Sequence, residues 1–185
     1  AARNIQAQGL KLTLDYLGES VATLAEADTA TREYLRLLDV IAASGIERNI
    51  SLKLTQLGVD VDRATCVDNL RRILEPAGRH DFFVRIDMEN SPYTDVTLDI
   101  FETLWQQQYR NVGVVLQSCL YRSEDDARRV MAAGARIRLV KGAYKEPKEV
   151  AYQQKPEVDE AYVRIMKLLL DGGQYPAIAR HDPAF

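Results

Sequence analysis

Two hydrophobic periods alternate along the chain. Six short segments are predicted as β-strands, and four of them place apolar side chains at every second position, which is the period of a strand with one buried face. Longer segments between them place apolar residues three and four positions apart, which is the period of an amphipathic helix. The predicted strands are residues 10–17, 49–56, 82–89, 112–118, 135–141 and 177–181. The predicted helices are residues 28–44, 60–74, 94–107, 123–133 and 158–170.

Residues at the ends of these helices support the boundaries. Ser123 followed by Asp126 predicts a capping box at the start of helix 123–133. Gly45, Gly134 and Gly172 stand where C-cap glycines belong. The opening residues, AARNIQAQG, resemble the end of one further helix.

Repeated strand–helix units predict parallel strands joined by helical crossovers. A doubly wound sheet and a (β/α)8 barrel both have this order. The central strands of a doubly wound sheet are apolar on both faces, whereas residues 50–55 alternate strictly and carry Lys53 on their polar face. We therefore predict an α/β fold of the distorted (β/α)8, TIM-like barrel class. Its outward strand face would meet the helices, and its inward face would carry charge.

The length and composition limit this prediction further. A full barrel needs about 250 residues, and this chain has 185 with about six strand–helix units. We expect residues 1–185 to form a single, incomplete barrel domain that lacks its C-terminal units. The net charge of −3 argues against a nucleic-acid partner. We also expect no signal peptide and no membrane-spanning segment. Cys66 and Cys119 do not have the spacing of a metal site or a redox motif. We therefore predict that both are inert core thiols in a reducing compartment, the cytoplasm.

Candidate chemistry lies at the C-terminal ends of the predicted strands, where the active sites of such barrels are found. These ends form a polar set of both charge signs: Glu19, Lys53, Asp87, Glu89, Gln117, Arg138, Lys141 and His181. Lys53 could bind a substrate carboxylate or pair with an aspartate of a neighbouring strand, Asp87 being the natural partner. Gln117 could bind a heteroaromatic ring edge or satisfy backbone groups. No spacing typical of a metal site, a Ser–His–Asp triad or a glycine-rich phosphate loop is present.

These residues leave three classes of function open. One is the flavoenzyme that the family resemblance described below implies. Another is a cofactor-free aldolase-type barrel in which Lys53 or Lys141 forms a Schiff base. The third is a non-catalytic barrel that holds a ligand in its polar interior.

Several segments resemble the flavin-dependent proline dehydrogenases. ISLKLTQLG, RIDMEN, GVVLQSCLYR, RLVKGAYKEP and HDP occur in that family's order, and LDYLGES is similar to its first-strand segment. The resemblance covers nearly the whole chain, and RLVKGAYKEP is its most specific motif. It implies a distorted (β/α)8 barrel that carries FAD and oxidises L-proline to Δ1-pyrroline-5-carboxylate. It further implies electron transfer to a quinone and peripheral contact with a membrane. Both monofunctional enzymes and the dehydrogenase domain of proline-utilisation proteins fit.

The resemblance also implies roles for individual residues. Lys53 is similar to the lysine that binds the proline carboxylate, Asp87 to the active-site aspartate, and Tyr144 to the tyrosine that packs on the substrate ring. Glu19 is similar to a gate glutamate that pairs with an arginine of the family's final helix, which lies beyond this chain. The implied flavin contacts are Met88, Gln117, Arg138, Val140, Lys141, Gly142, Arg180 and His181. Arg138 would lie beside the flavin N5 and share the catalytic role with Asp87. Arg180 departs from the threonine of many relatives.

This assignment explains two cations on a strand that is otherwise apolar. Arg138 and Lys141 would stabilise the negative charge that a flavin gains on reduction. Gly142 would let the backbone approach the cofactor closely, because glycine has no side chain.

Overall fold

A computed structural model describes residues 1–179 of the chain. The chain divides into two compact units. The first comprises Ala1–Asp87 and Ile100–Val112, and the second comprises Met88–Asp99 and the chain from Gly113 onward. The strands are β1 (Leu14–Asp15), β2 (Asn49–Leu52), β3 (Phe83–Ile86), β4 (Val112–Gln117), β5 (Ile137–Val140) and β6 (Ala177–Ile178). The helices are α1 (Ala2–Ala7), α2 (Leu24–Ser44), α3 (Arg63–Arg79), α4 (Thr94–Gln106), α5 (Ser123–Ala132) and α6 (Lys155–Gly172).

In the first unit, β1, β2 and β3 pair in parallel, and α2 packs on α3. The ladder aligns Leu14 with Ile50 and Leu52 with Ile86. The core of this unit contains Tyr34, Leu38, Ile41, Ile50, Leu52, Leu70, Ile73, Val84 and Ile86, all of them buried. Complete burial of one such aliphatic side chain contributes about 1.5–3 kcal/mol. The alternating apolar positions of the sequence therefore form the packed face of the strands, as predicted.

In the second unit, β4, β5 and β6 pair in parallel, with α5 packed on α6 and α6 on β5. The ladder aligns Val115 with Arg138 and Gln117 with Val140. Its core contains Val114, Leu116, Ile137, Leu139, Ala161, Tyr162, Ile165 and Leu169. The predicted alternation of strands and helices is thus confirmed in both units. None of the helices within residues 1–179 combines the length and apolar character needed to cross a bilayer.

The strands are shorter than predicted, and at the ends of β1 and β2 the backbone bonds to partners outside the ladder. The strand expected over residues 10–17 is reduced to β1, and the carbonyl of Tyr16 accepts from the Gln56 side chain at 3.0 Å. The N–H groups of Ser20 and Val21 donate to Thr55, at 3.2 Å in each case. After β2, a 3₁₀ turn over Thr55–Leu57 replaces the end of the strand expected over residues 49–56.

The capping box predicted at Ser123 is wrong. The Ser123 hydroxyl donates to the carbonyl of Gln117 at 2.5 Å, and α5 has Arg122 as its N-cap residue without a side-chain cap. Asp126 instead accepts from Arg122 Nε at 2.7 Å. Other hydrogen-bond partners of Ser123 and Asp126 have therefore replaced the cap.

The glycine C-caps are confirmed at two of three positions. Gly45 and Gly134 follow α2 and α5 with φ of 70° and 78°, in the left-handed region. Gly172 is wrong as a cap, because it is the last residue of α6 and Gly173 is the C-cap.

Candidate active site

Lys53 forms an ion pair at the end of β2. Its ammonium lies 3.8 Å from Oδ2 of Asp15, the last residue of β1. The side chains are 20% and 34% exposed, so the pair is only partly screened by water. The alternation of the sequence put Asp15 on the polar face but did not identify it as a partner of Lys53. The pairing holds the ammonium at the strand end, where a substrate anion could reach it.

A buried tyrosine hydroxyl lies within hydrogen-bond distance of Asp15. The hydroxyl of Tyr34, on α2, lies 3.0 Å from Asp15 Oδ1 and 2.8 Å from Gln56 Oε1. Burial, followed by the charge of Asp15, raises the pKa of Tyr34 well above its ordinary value, so the hydroxyl stays protonated and remains a donor. Helical spacing predicted Tyr34 only as a core residue. The structure adds that it helps to fix Asp15 and, through it, Lys53.

Asp87 lies beside Lys53 in the sheet register. Leu52 pairs with Ile86, and the N–H of Asp87 donates to the carbonyl of Leu52 at 2.8 Å. Lys53 and Asp87 therefore occupy adjacent positions just past the β2–β3 ladder, as predicted for two residues of one polar edge.

Glu19 lies in the loop after β1 and is exposed. It lines a cavity of about 370 Å³ together with Tyr16, Gly18 and Gln56. The loop is held to the Thr55–Leu57 turn by the backbone bonds of Ser20 and Val21. The gate role implied for Glu19 stays a prediction.

In the second unit, Gln117 satisfies a backbone group. It is the last residue of β4, and its side-chain amide donates to the carbonyl of Glu89 at 2.9 Å. For the amide nitrogen, this confirms the predicted alternative in which Gln117 satisfies a backbone group. Its Oε1 is directed towards Gly142, since a Cβ placed on that glycine would lie 3.4 Å away from it. Met88, the neighbour of Glu89, is buried.

Only glycine fits at position 142. Its φ is +112°, a conformation that L side chains rarely adopt, and an added Cβ would overlap the sulfur of Cys119. The N–H of Cys119 donates to the carbonyl of Lys141 at 2.9 Å, which keeps these two segments in contact. Burial and the charge of Glu146 raise the pKa of the Cys119 thiol to about 11. Both cysteines are buried, as predicted for core thiols.

The cations of β5 have different surroundings. Arg138 is half-buried and lies opposite Val115 in the ladder. Lys141 follows Val140 and donates to Asp159 on α6 at 2.6 Å. The sequence singled out both cations but carried no signal for Asp159, because that pairing joins residues 18 positions apart.

The loop after β5 carries Tyr144, whose side chain is 39% exposed. Glu146 is buried, and its carboxylate accepts from the N–H of Ser91 at 2.8 Å. On the other side, the N–H of Tyr121 donates to the carbonyl of Val150 at 3.0 Å. The loop is therefore fixed on both sides of the exposed aromatic ring. Glu146 was not predicted as a site residue, although it belongs to the RLVKGAYKEP segment.

The second unit contains features that fit the isoalloxazine part of FAD. Gly142 presents backbone where a side chain cannot be accommodated, and Arg138 on β5 supplies a half-buried cation, whereas the Lys141 ammonium is paired with Asp159. Tyr144 adds an exposed aromatic face. Backbone groups, cations and aromatic surface are suitable partners for an electron-accepting ring. Arg180 and His181, the remaining predicted flavin contacts, lie outside the described residues.

Comparisons with known proteins agree with this description. The family model for proline dehydrogenase matches residues 1–183. Proline dehydrogenase 2 of Bacillus subtilis (strain 168) is 41% identical over 180 residues, which are 97% of this chain and 59% of that protein. Proline dehydrogenase of Deinococcus radiodurans is 36% identical over 186 residues, 98% of this chain and 60% of that protein. The chain thus spans about 60% of the length of these relatives.

A solved structure shows the same fold. Proline utilization A (PutA) from Bdellovibrio bacteriovorus, inactivated by N-propargylglycine, matches with a TM-score of 0.86 and 24% sequence identity. The match covers 97% of this chain and 24% of that chain. At this identity the likeness concerns the fold alone, and it confirms the predicted α/β barrel class.

Proposed function

The chain belongs to the proline dehydrogenase family, and from that premise we propose that the full-length protein oxidises L-proline to Δ1-pyrroline-5-carboxylate with FAD as hydride acceptor. A quinone would receive the electrons, which would require peripheral contact with the membrane that holds it. The match of the family model to residues 1–183 carries the proposal. Since the chain spans 59% of its B. subtilis relative, the activity is proposed for the complete protein.

The second unit would bind the flavin. FAD, when bound, supplies the acceptor for two electrons and a proton in the form of hydride. The residues that would hold it are Met88, Gln117, Arg138, Val140, Lys141, Gly142, Arg180 and His181. Arg138 would stabilise the negative charge that arrives with the hydride, because a fixed cation in a partly dry site needs little rearrangement. Tyr144 would form an apolar wall for the five-membered ring of proline.

The first unit would bind the substrate carboxylate. Lys53 presents a half-buried ammonium, and the Asp15–Tyr34 pair holds it in place. Asp87 lies next to Lys53 in the register and would help to orient it. Proline must lose a hydride from Cδ and a proton from its amine, so the reaction needs orientation and charge stabilisation rather than a nucleophile.

The aldolase-type alternative is less well supported by the lysine environments. An amine that forms a Schiff base must reach the substrate carbonyl, whereas each candidate lysine is already engaged by an aspartate carboxylate. Lys53 lies 3.8 Å from Asp15, and Lys141 lies 2.6 Å from Asp159. Borohydride reduction in the presence of substrate would trap a Schiff base and decide between the two enzymes. A non-catalytic barrel would turn over nothing.

Turnover of Arg138 variants tests the proposal. In the full-length protein supplied with FAD, Arg138→Ala should reduce proline-dependent reduction of a soluble quinone analogue roughly 100-fold or more. Arg136→Ala is the matched control, because Arg136 lies two residues before Arg138 and therefore on the same face of the strand segment. Its guanidinium is 5.0 Å from the ring centre of Tyr175. The control should stay within a few-fold of wild type. Equal turnover of wild type and Arg138→Ala would refute the role of Arg138.

A further inference from the structure

We propose that Asp159 is a positioning residue for the cofactor-binding end of β5. Its carboxylate holds the Lys141 ammonium against α6 and so fixes the backbone of Lys141 and Gly142, two of the predicted flavin contacts. The inference rests on the proposed binding of FAD and goes beyond it by adding a residue that does not contact the cofactor.

The ion pair is close and partly dry. Lys141 Nζ lies 2.6 Å from Asp159 Oδ1, and the two side chains are 24% and 18% exposed. Lys155 Nζ lies 2.5 Å from the other oxygen, Oδ2, but its side chain is 69% exposed. Hydrogen bonds from Lys141 and then Lys155 lower the pKa of the Asp159 carboxyl, so it is ionised at neutral pH. The less exposed of its two partners is the lysine at the strand end.

A buried aromatic ring of α6, the helix that carries Asp159, also contacts Lys141. The ammonium lies 5.8 Å from the ring centre of Tyr162, within the range of a cation–π interaction. Tyr162 is fully buried, and its hydroxyl donates to the carbonyl of Ala179 at 2.8 Å. The N–H of Ala179 donates in turn to Leu139 of β5 at 2.9 Å. The side chain of Lys141 therefore packs against a part of α6 that is hydrogen-bonded to the segment after β6.

The backbone of Lys141 is fixed from the other side by β4. Its carbonyl accepts from the N–H of Cys119, and the sulfur of Cys119 leaves space only for glycine at the next position. Asp159 and Cys119 thus hold Lys141 at its two ends, the ammonium and the carbonyl. Loss of the carboxylate would remove an ion-pair partner of a half-buried ammonium, and the side chain would turn towards solvent. The strand end would then lose a contact that helps to hold Lys141 in place.

Binding of FAD to the flavin-free, full-length protein tests this role without any measurement of activity. Asp159→Asn should raise the Kd for FAD about tenfold, and Asp159→Glu, which keeps the charge, should recover most of the loss. Lys155→Met is the matched control, since it removes the exposed partner of the same carboxylate and should leave the Kd within about threefold of wild type. Lys141→Met should also weaken binding, and Asp159→Asn should add little to it because both changes break one interaction.

The outcomes separate this inference from the proposed function. If the wild-type protein does not bind FAD, the proposed function fails and this inference fails with it. If wild type binds FAD and folded Asp159→Asn has the same Kd, the inference alone is wrong. If the double variant raised the Kd for FAD by the product of the factors measured for Asp159→Asn and Lys141→Met alone, the inference would also be wrong. If Asp159→Asn does not fold, a folded Lys141→Met variant with wild-type affinity overturns the inference.

Discussion

Replacing Gly142 with alanine tests the geometry of the strand end after β5 most sharply. The substitution adds one methyl group at a position where φ is +112° and the Cys119 sulfur occupies the space that Cβ would need. Two separate penalties follow, one from the backbone conformation and one from the overlap. We expect Gly142→Ala to be destabilising and to weaken FAD binding, because either the loop or Cys119 must move.

The structure allows the two penalties to be estimated separately. A non-glycine residue in a left-handed conformation costs about 1–2 kcal/mol. Overpacking by one methyl group in a filled site costs about 1–3 kcal/mol. Gly142→Ala should therefore lower the free energy of unfolding by about 2–5 kcal/mol, the sum of both effects. Gly134→Ala supplies the backbone penalty alone, because its φ is +78° and an added Cβ would meet nothing within 4 Å.

Urea denaturation followed by circular dichroism would measure these differences. Cys119→Ala removes the overlapping sulfur, so adding it to Gly142→Ala should recover about 1–3 kcal/mol of the loss. The remaining deficit should be similar to that of Gly134→Ala. If Gly142→Ala and Gly134→Ala are equally destabilised, or if Cys119→Ala gives no recovery, the close contact between Gly142 and Cys119 is not as described.

Three further predictions concern buried polar groups. Tyr34→Phe should lower the free energy of unfolding by about 1–3 kcal/mol in urea denaturation, because it removes the donor beside Asp15; a change below about 0.3 kcal/mol would contradict the network. The rate of Cys119 alkylation, followed by mass spectrometry, should rise with pH along a titration curve whose midpoint is about 11, where the folded thiol ionises. Cys66 is fully buried and serves as the unreactive control. A midpoint near the ordinary value of 9.0 would refute the buried environment of Cys119. Glu146→Gln keeps an acceptor oxygen but removes the negative charge that raises the pKa of Cys119, so the alkylation midpoint should move to lower pH; an unchanged midpoint would argue against that proximity.

The fold class and much of the polar edge follow from local pattern. A period of two residues places Lys53 and Asp87 on the polar face of their strands, and Gln117 ends a continuous apolar run. The same pattern predicts which side chains enter the core. The family resemblance added roles to these positions, since periodicity distinguishes a polar face but not the ligand that it binds.

The partners of these residues could not be predicted in the same way. Asp15 and Asp159 meet their lysines through tertiary packing, and no period in the sequence encodes that distance. The loop after β1 was predicted as strand because residues 10–17 alternate, yet Gln56 takes the Tyr16 carbonyl. The hydroxyl of Ser123 also bonds to the carbonyl of Gln117, at the end of the preceding strand, rather than capping its own helix. Local signals fail where a distant group offers a buried polar atom a better partner.

An anaerobic visible spectrum of the full-length protein, recorded before and after addition of L-proline, tests the central claim most directly. The expected result is a bound flavin whose absorption band bleaches on addition of L-proline, because the substrate reduces it. Failure to bind flavin when FAD is supplied would contradict the account. A bound flavin whose band does not bleach with L-proline would contradict the proposed substrate.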